Sequence, residues 1–158
     1  KNIIIDDTIK NNIDITNKNT NNDIEKVSQK ANLLEDIETM QDGYETKIGE
    51  NGIKISGGQK QRIQIARNLL NIRSVNIFDD TLSALDSETE KSVIKKIKEQ
   101  AGDNILIVIS NKIGIMEEMD KIIVLVDGKI IDIGTHKELI EKNEFYNELN
   151  TYEKVGVK

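Results

Sequence analysis

The sequence predicts an α/β domain, on three observations. From Gln59 onward, short apolar runs alternate with segments of helical periodicity, the pattern of strands joined by crossover helices. Ile105-Leu106-Ile107-Val108-Ile109 is apolar at every position, as a strand buried on both faces of a parallel sheet would be. Asp127-Gly128 separates Ile122–Val126 from Lys129–Ile133, and that residue pair favours a two-residue hairpin turn.

The elements follow in order. Residues 1–22 are polar with scattered Ile and read as irregular. A helix is predicted to start at Asn22 or Asp23, both good N-caps, because Ile24, Val27, Ala31 and Leu34 then share one face. Residues 41–58 hold Gly43, Gly49, Gly52, Gly57 and Gly58 and read as a long structured loop. From Gln59 a helix carries Ile63, Ala66 and Leu70 as one stripe, with Ile65 and Leu69 beside it. Val75–Asp79 is a short strand and Ser83–Asp86 a turn. Ser87, with Glu90 three residues on, reads as a capping box opening a helix whose Val93, Ile94 and Ile97 face inward. Gly102-Asp103-Asn104 ends it, Ile113–Glu118 is a short helix, and two helices near 136–142 and 144–152 finish the chain. There is no internal repeat.

Composition narrows the function. The 158 residues make one ordinary domain. Lys plus Arg is 22 against 28 for Asp plus Glu, and this net charge of -6 with no dense basic cluster argues against nucleic acid as a partner. Cys is absent, which excludes disulfides, thiolate catalysis and Cys-ligated zinc. With one His there is no His cluster for a metal, and a Ser-His-Asp triad would need His136. The apolar runs at 105–109 and 122–126 fall far short of the roughly 20 residues that span a bilayer. Lys1–Asp7 has no signal-peptide layout, so the chain is expected to be soluble and intracellular unless a partner holds it at a membrane.

Two constellations carry chemistry. In Ile55-Ser56-Gly57-Gly58-Gln59, a hydroxyl and two glycines open a helix, leaving bare backbone N–H groups where the helix dipole is positive. That is an anion site suited to phosphate. A flexible turn with an N-cap is the plainer account of the same residues. In Val75-Asn76-Ile77-Phe78-Asp79-Asp80, an acid ends a strand where nucleotide-binding folds hold Mg²⁺, and a second acid could orient a water. A strand ending in a turn-forming Asp pair is the alternative.

The order of these pieces resembles the nucleotide-binding domain of ABC transporters over essentially the whole chain. Ile55-Ser56-Gly57-Gly58-Gln59-Lys60-Gln61-Arg62 resembles the signature motif, with Ile for the usual Leu. Asp79 matches the Walker B aspartate, and Asp80 falls where the family usually has a catalytic Glu. Ser83-Ala84-Leu85-Asp86 matches the D-loop, and Asn111 falls at the switch His. Asp127-Gly128-Lys129-Ile130 and Gly134-Thr135-His136-Lys137-Glu138-Leu139 match the closing segment. The exporter subfamily also shows, in the loop Gly43–Gly52 and in Thr8-Ile9-Lys10-Asn11-Asn12-Ile13.

The resemblance implies a partial P-loop NTPase core of RecA-like type, divided into residues 1–7 after the Q-loop, an ABC helical subdomain at 8–55, and the C-terminal part of the core at 56–158. It implies an exporter's ATP-binding subunit, on the cytoplasmic side of the membrane, with ATP and Mg²⁺ as cofactors. Asp79 would hold Mg²⁺, Asp80 would position water weakly, and Asp86 would report across a dimer interface. Ser56, Gly57, Gly58 and Gln59 would clamp the γ-phosphate of an ATP held by a second nucleotide-binding domain, and Glu50 with its neighbours would touch the transmembrane domains.

Departures from the family matter. No Walker A loop is present: Gly52 and Gly57 have the spacing, but Gly58-Gln59 follows and not Lys-Ser/Thr. The chain reads as the C-terminal two-thirds of such a domain, lacking the strands that would cover its sheet, so exposed edges and association are expected. Asp80 is one methylene shorter than Glu, and Asn111 offers an amide where an imidazole is usual. Both resemble the degenerate half of a heterodimeric exporter, so a heterodimer is favoured. The alternative is a regulatory module that donates its signature and hydrolyses nothing. A chromosome or repair ATPase would need sustained heptads, and none appear.

Smaller readings complete the sequence. His136 is assigned to a cap or the surface, Arg62 and Arg67 to a solvated face in preference to salt bridges with acids or an approach to phosphate, Lys95, Lys96 and Lys98 to a solvated face, and Tyr146 and Tyr152 to packing of the last helices. Asn76, inside an apolar strand, must find partners for its amide.

Overall fold

A computed structural model describes residues 3–50, 52–83 and 85–155. Ala84, the middle of the expected D-loop, lies outside the described residues. The chain divides into two compact units, Lys1–Ile109 and Ser110–Lys158.

The first unit opens with more order than its polar sequence suggests. β1 (Asp7–Thr8) leads into α1 (Ile9–Ile13), capped by Thr8 and anchored by the fully buried Ile9 and Ile13. Asn12 is buried too, and its amide serves Ile5 in both directions, accepting from the backbone N–H and donating to the carbonyl. The next helix, α2 (Asn21–Lys30), starts ahead of the predicted Asn22/Asp23. Thr20 is the cap, and Asp23 closes a capping box as its third residue. α3 (Leu34–Glu38) follows, then a 3₁₀ turn at Gly43–Glu45 and β2 (Lys47–Ile48), antiparallel to β1. Gly52 belongs to this region by necessity: a Cβ there would lie 2.4 Å from the Lys47 carbonyl oxygen.

α4 (Gly57–Leu70) packs on α1 and α2, burying Ile63, Ile65, Ala66 and Leu69. β3 (Val75–Asp79) and β4 (Ile105–Ile109) pair in parallel, as predicted, through the crossover helix α5 (Ser87–Ala101). The cap of α5 is Asp86, one residue before the predicted Ser87, and its carboxylate accepts the Thr89 N–H at 2.9 Å. Asn76 finds its partners: its side chain accepts from the Arg73 N–H and donates to the Arg73 carbonyl, spanning the entry to β3.

Burial on both faces of β4 is not observed. Val75, Ile77, Ile105, Ile107 and Ile109 are 41–59% exposed. The register pairs them on one face of a two-stranded sheet, and α5 covers β4 from the other side.

In the second unit a 3₁₀ turn (Met116–Glu118) replaces most of the helix predicted at Ile113–Glu118. β5 (Ile122–Val126) and β6 (Lys129–Gly134) form the predicted hairpin, with Asp127 and Gly128 both at positive φ, the requirement of a type I′ turn. α6 (His136–Lys142) is capped by Thr135 and Glu138, and α7 (Glu144–Val155) follows. Tyr146 is buried there, its hydroxyl 2.9 Å from His136 Nδ1, and burial pushes its pKa up to about 12. Tyr152 is exposed and does not supply the packing expected of it.

Candidate functional site

The turn before α4 is built by its own sequence. Ser56 takes an extended backbone and its Oγ accepts the Gln59 N–H at 3.1 Å. The Gln59 side chain answers by accepting the Ser56 N–H at 2.9 Å. This capping box uses two groups of the first turn and leaves the tip at Gly57 open. Ser56 and Gly57 are exposed, and Gly58 and Gln59 are half-buried. A Cβ placed on Gly57 would meet nothing within 4 Å, and its φ is not in the left-handed range. Nothing in the chain itself requires glycine here, in contrast to Gly52.

The strand-end acids lie in the same unit. Asp79 ends β3 on the face of the exposed Val75 and Ile77, and is exposed itself. Asp80 stands at φ 49°, a left-handed conformation that costs a non-glycine residue about 1 kcal/mol or more. Its N–H donates to the Ile109 carbonyl at 3.0 Å, and its carbonyl accepts from Ser83 Oγ at 3.0 Å. These backbone bonds hold the turn at Asp80.

A residue quoted within the signature motif, with no role of its own assigned from the sequence, links the two constellations. Gln61, buried in the second turn of α4, donates from Nε2 to Ser83 Oγ at 3.0 Å and to the Asp80 carbonyl at 3.4 Å. A buried amide within an amphipathic helix carries no local signal of such a role. The helix of residues 56–59 is thereby joined to the turn of residues 80–83. Beyond that turn Leu85 is buried, and Asp86 is exposed as the cap of α5. The Thr89 N–H and hydroxyl hold the Asp86 carboxyl below its usual range.

The remaining predicted residues lie apart from this description. Asn111 belongs to the second unit, in an exposed position. Glu50 is exposed. The arginines depart from the solvated-face expectation. Arg62 pairs with Asp36, and Arg67 donates to the carbonyls of Asn12 and Ile3, with burial holding its pKa below the ordinary value. Lys96 also leaves that face, donating to Asn32 Oδ1 at 2.6 Å. His136 is neither the cap, which is Thr135, nor a free surface residue: it is half-buried, its Nδ1 is 2.9 Å from the Tyr146 hydroxyl and its Nε2 is 3.7 Å from Glu117.

Two adjacent, exposed carboxylates offer hard oxygen donors of the kind Mg²⁺ takes. Among the described residues no group of three or more His, Cys, Asp or Glu forms a cage. The donor set therefore fits a cation that takes its other ligands from phosphate and water. No helix among the described residues is long and apolar enough to cross a membrane.

Comparison with known proteins bears on family and fold. The family model described as ABC transporter matches residues 3–83, just over half the chain. The chain is 39% identical over 149 residues to an ATP-dependent lipid A-core flippase of Vibrio vulnificus (strain CMCP6), covering 93% of this chain and 26% of the flippase. It is 37% identical over 154 residues to the multidrug resistance-like ATP-binding protein MdlA of Buchnera aphidicola subsp. Schizaphis graminum (strain Sg), covering 96% of this chain and 26% of that protein. Among solved structures it matches a bacterial Atm1-family ABC exporter with ATP bound, at a TM-score of 0.88 and 29% identity, over 96% of this chain and 27% of that one. The chain thus spans about a quarter of the length of these relatives. The chain belongs to the ABC transporter family and matches its ATP-binding domain of the exporter type.

Proposed function

We propose that this chain serves in the ATP-binding component of an exporter, coupling ATP binding and hydrolysis to movement of a substrate across a membrane. The observation that carries the reading is Gly57: an exposed glycine at a capped helix tip, with open space where its side chain would be. Backbone N–H groups there can meet a phosphate oxygen only while no Cβ intervenes.

Ser56, Gly57, Gly58 and Gln59 take the γ-phosphate of an ATP held by a second nucleotide-binding domain. Asp79 would hold Mg²⁺, directly or through water, and the chemistry the cation would supply there is neutralisation of phosphate charge. Asp80 accepts a hydrogen bond from the attacking water and so orients it. Asn111, at the switch position, donates one hydrogen bond to a phosphate oxygen. Ser83, Ala84, Leu85 and Asp86 carry the state of one site to the other, and the link from Gln61 to Ser83 and Asp80 supports that path. The domain sits on the cytoplasmic side of the membrane, held by transmembrane domains that the Glu50 loop touches.

A second reading concerns the pair rather than the class. Asp80 in place of the usual Glu, and Asn111 in place of His, favour a heterodimer in which this chain's own acids face a slowly hydrolysed ATP. Its signature then completes the active site of the partner.

The test is Ser56→Arg in the full-length protein. A cationic side chain over the helix tip is expected to abolish hydrolysis at the site this turn completes, with ATP still bound. Native turnover would overturn the reading.

A further inference from the structure

We propose that Asp36, on helix α3, is a positioning residue for the turn at Ser56–Gln59; the proposal rests on the reading that this turn meets the partner's ATP. Asp36 Oδ1 accepts from Gln59 Nε2 at 3.2 Å. Its Oδ2 accepts from Arg62 Nε at 3.0 Å and Nη2 at 2.5 Å. Gln59 and Arg62 are three apart on α4, so one carboxylate from a neighbouring helix grips two residues on one helix face.

The grip fixes which way an amide points. Gln59 has one accepting and one donating end. Asp36 takes the donating end, so the oxygen is left to face the Ser56 N–H, as observed at 2.9 Å. Without the carboxylate the amide is free to turn over. Its NH₂ would then confront the Ser56 N–H, donor against donor, and half of the capping box would be lost. Ser56 would lose the backbone anchor that sets its hydroxyl at the tip.

The side chains of Arg62 and Asp36 are only 19% and 23% exposed and border a groove, so the pair can contribute to folding as well as to aim. Fixing an amide that caps a phosphate-facing turn acts through geometry, which turnover reads apart from the melting temperature. Arg62 neutralises the carboxylate and holds it in place, so that Asp36 keeps its aim at Gln59.

The test compares Asp36→Leu, Asp36→Glu and Ser56→Arg in the full-length protein assembled with its partner domain, reading kcat and KM for ATP and the melting temperature. Asp36→Leu is expected to lower kcat about tenfold, the scale of a catalytic group displaced by less than 1 Å. KM should stay within about twofold, because the P-loop that grips the nucleotide belongs to the other domain. Asp36→Glu, which keeps the charge and can reach the same amide, should restore most of kcat. Two results would overturn the positioning role: native kcat in Asp36→Leu beside an inactive Ser56→Arg, or equal losses in Leu and Glu variants, which would mark plain disruption of packing. Native turnover in Ser56→Arg would overturn the reading beneath it.

Discussion

Gly57→Ala separates what the helix tip does for folding from what it does for nucleotide. The added Cβ meets nothing within 4 Å and the backbone is not left-handed, so the folded chain takes alanine without strain. Alanine also narrows the unfolded ensemble and has the better helix propensity, together worth up to about 0.5–1 kcal/mol. For a domain of this size that corresponds to a rise of roughly 1–4 °C in melting temperature. On the proposed reading, the same methyl group would take up space at the open helix tip that a phosphate would approach. Displacing a reacting group by about 1 Å costs on the order of 100-fold in rate. The account therefore predicts a full-length protein that melts slightly higher and hydrolyses ATP about two orders of magnitude more slowly. Calorimetry and a steady-state ATPase assay on the same preparation read both. A clear fall in melting temperature, or native turnover, would refute the argument that this glycine answers to something outside the chain.

The other perturbations address the acids. Asp80→Glu restores the reach usual in the family, and turnover at the site facing Asp80 should rise by about 10- to 100-fold; an unchanged number of ATP molecules hydrolysed per dimer would remove the degenerate-site reading. Asp86→Asn keeps an N-cap but cannot titrate. The Asp86 carboxyl is held below its ordinary range by the Thr89 N–H, so its stabilisation is present above the unfolded value near 3.9 and is lost as pH falls through the lower folded value. The acid limb of the melting profile should therefore be shallower in Asp86→Asn than in the parent below about pH 4, and superimposable profiles would contradict the capping role.

Legibility in the sequence tracked the range of the interaction. The hairpin at Asp127-Gly128, the strands at 75–79 and 105–109 and the last two helices follow from local rules of turn chemistry and periodicity, and the structure has them. β1 and α1 were hidden because two- and five-residue elements leave no periodic trace, and what fixes them is the buried amide of Asn12. The caps Thr20 and Asp86 were displaced by one to three residues because Ser, Thr, Asp and Asn cap almost equally well and several stand in each stretch. Burial of β4 was overstated, since an apolar strand reports the burial it suits and not the neighbours it has. In the candidate site, motifs singled out Ser56–Gln59, Asp79, Asp80 and Asp86. The contacts of Asp36 and of Gln61 were not legible, because each side chain bonds across 19 to 26 residues of sequence and only the folded chain creates the bond. The left-handed Asp80 was equally silent, as no residue type announces it.

The claim on which the rest stands is that the tip at Ser56 meets the terminal phosphate of a nucleotide carried by another domain. This chain has no cysteine, so Ser56→Cys places one thiol at that tip. In a full-length background freed of other cysteines, treatment with an ATP analogue bearing a thiol-reactive group on its γ-phosphate should label residue 56 in the assembled dimer. Excess ATP should suppress the label, and so should loss of the partner's P-loop lysine. Absence of labelling in the assembled dimer, or labelling that persists when the partner can no longer hold nucleotide, would contradict the account.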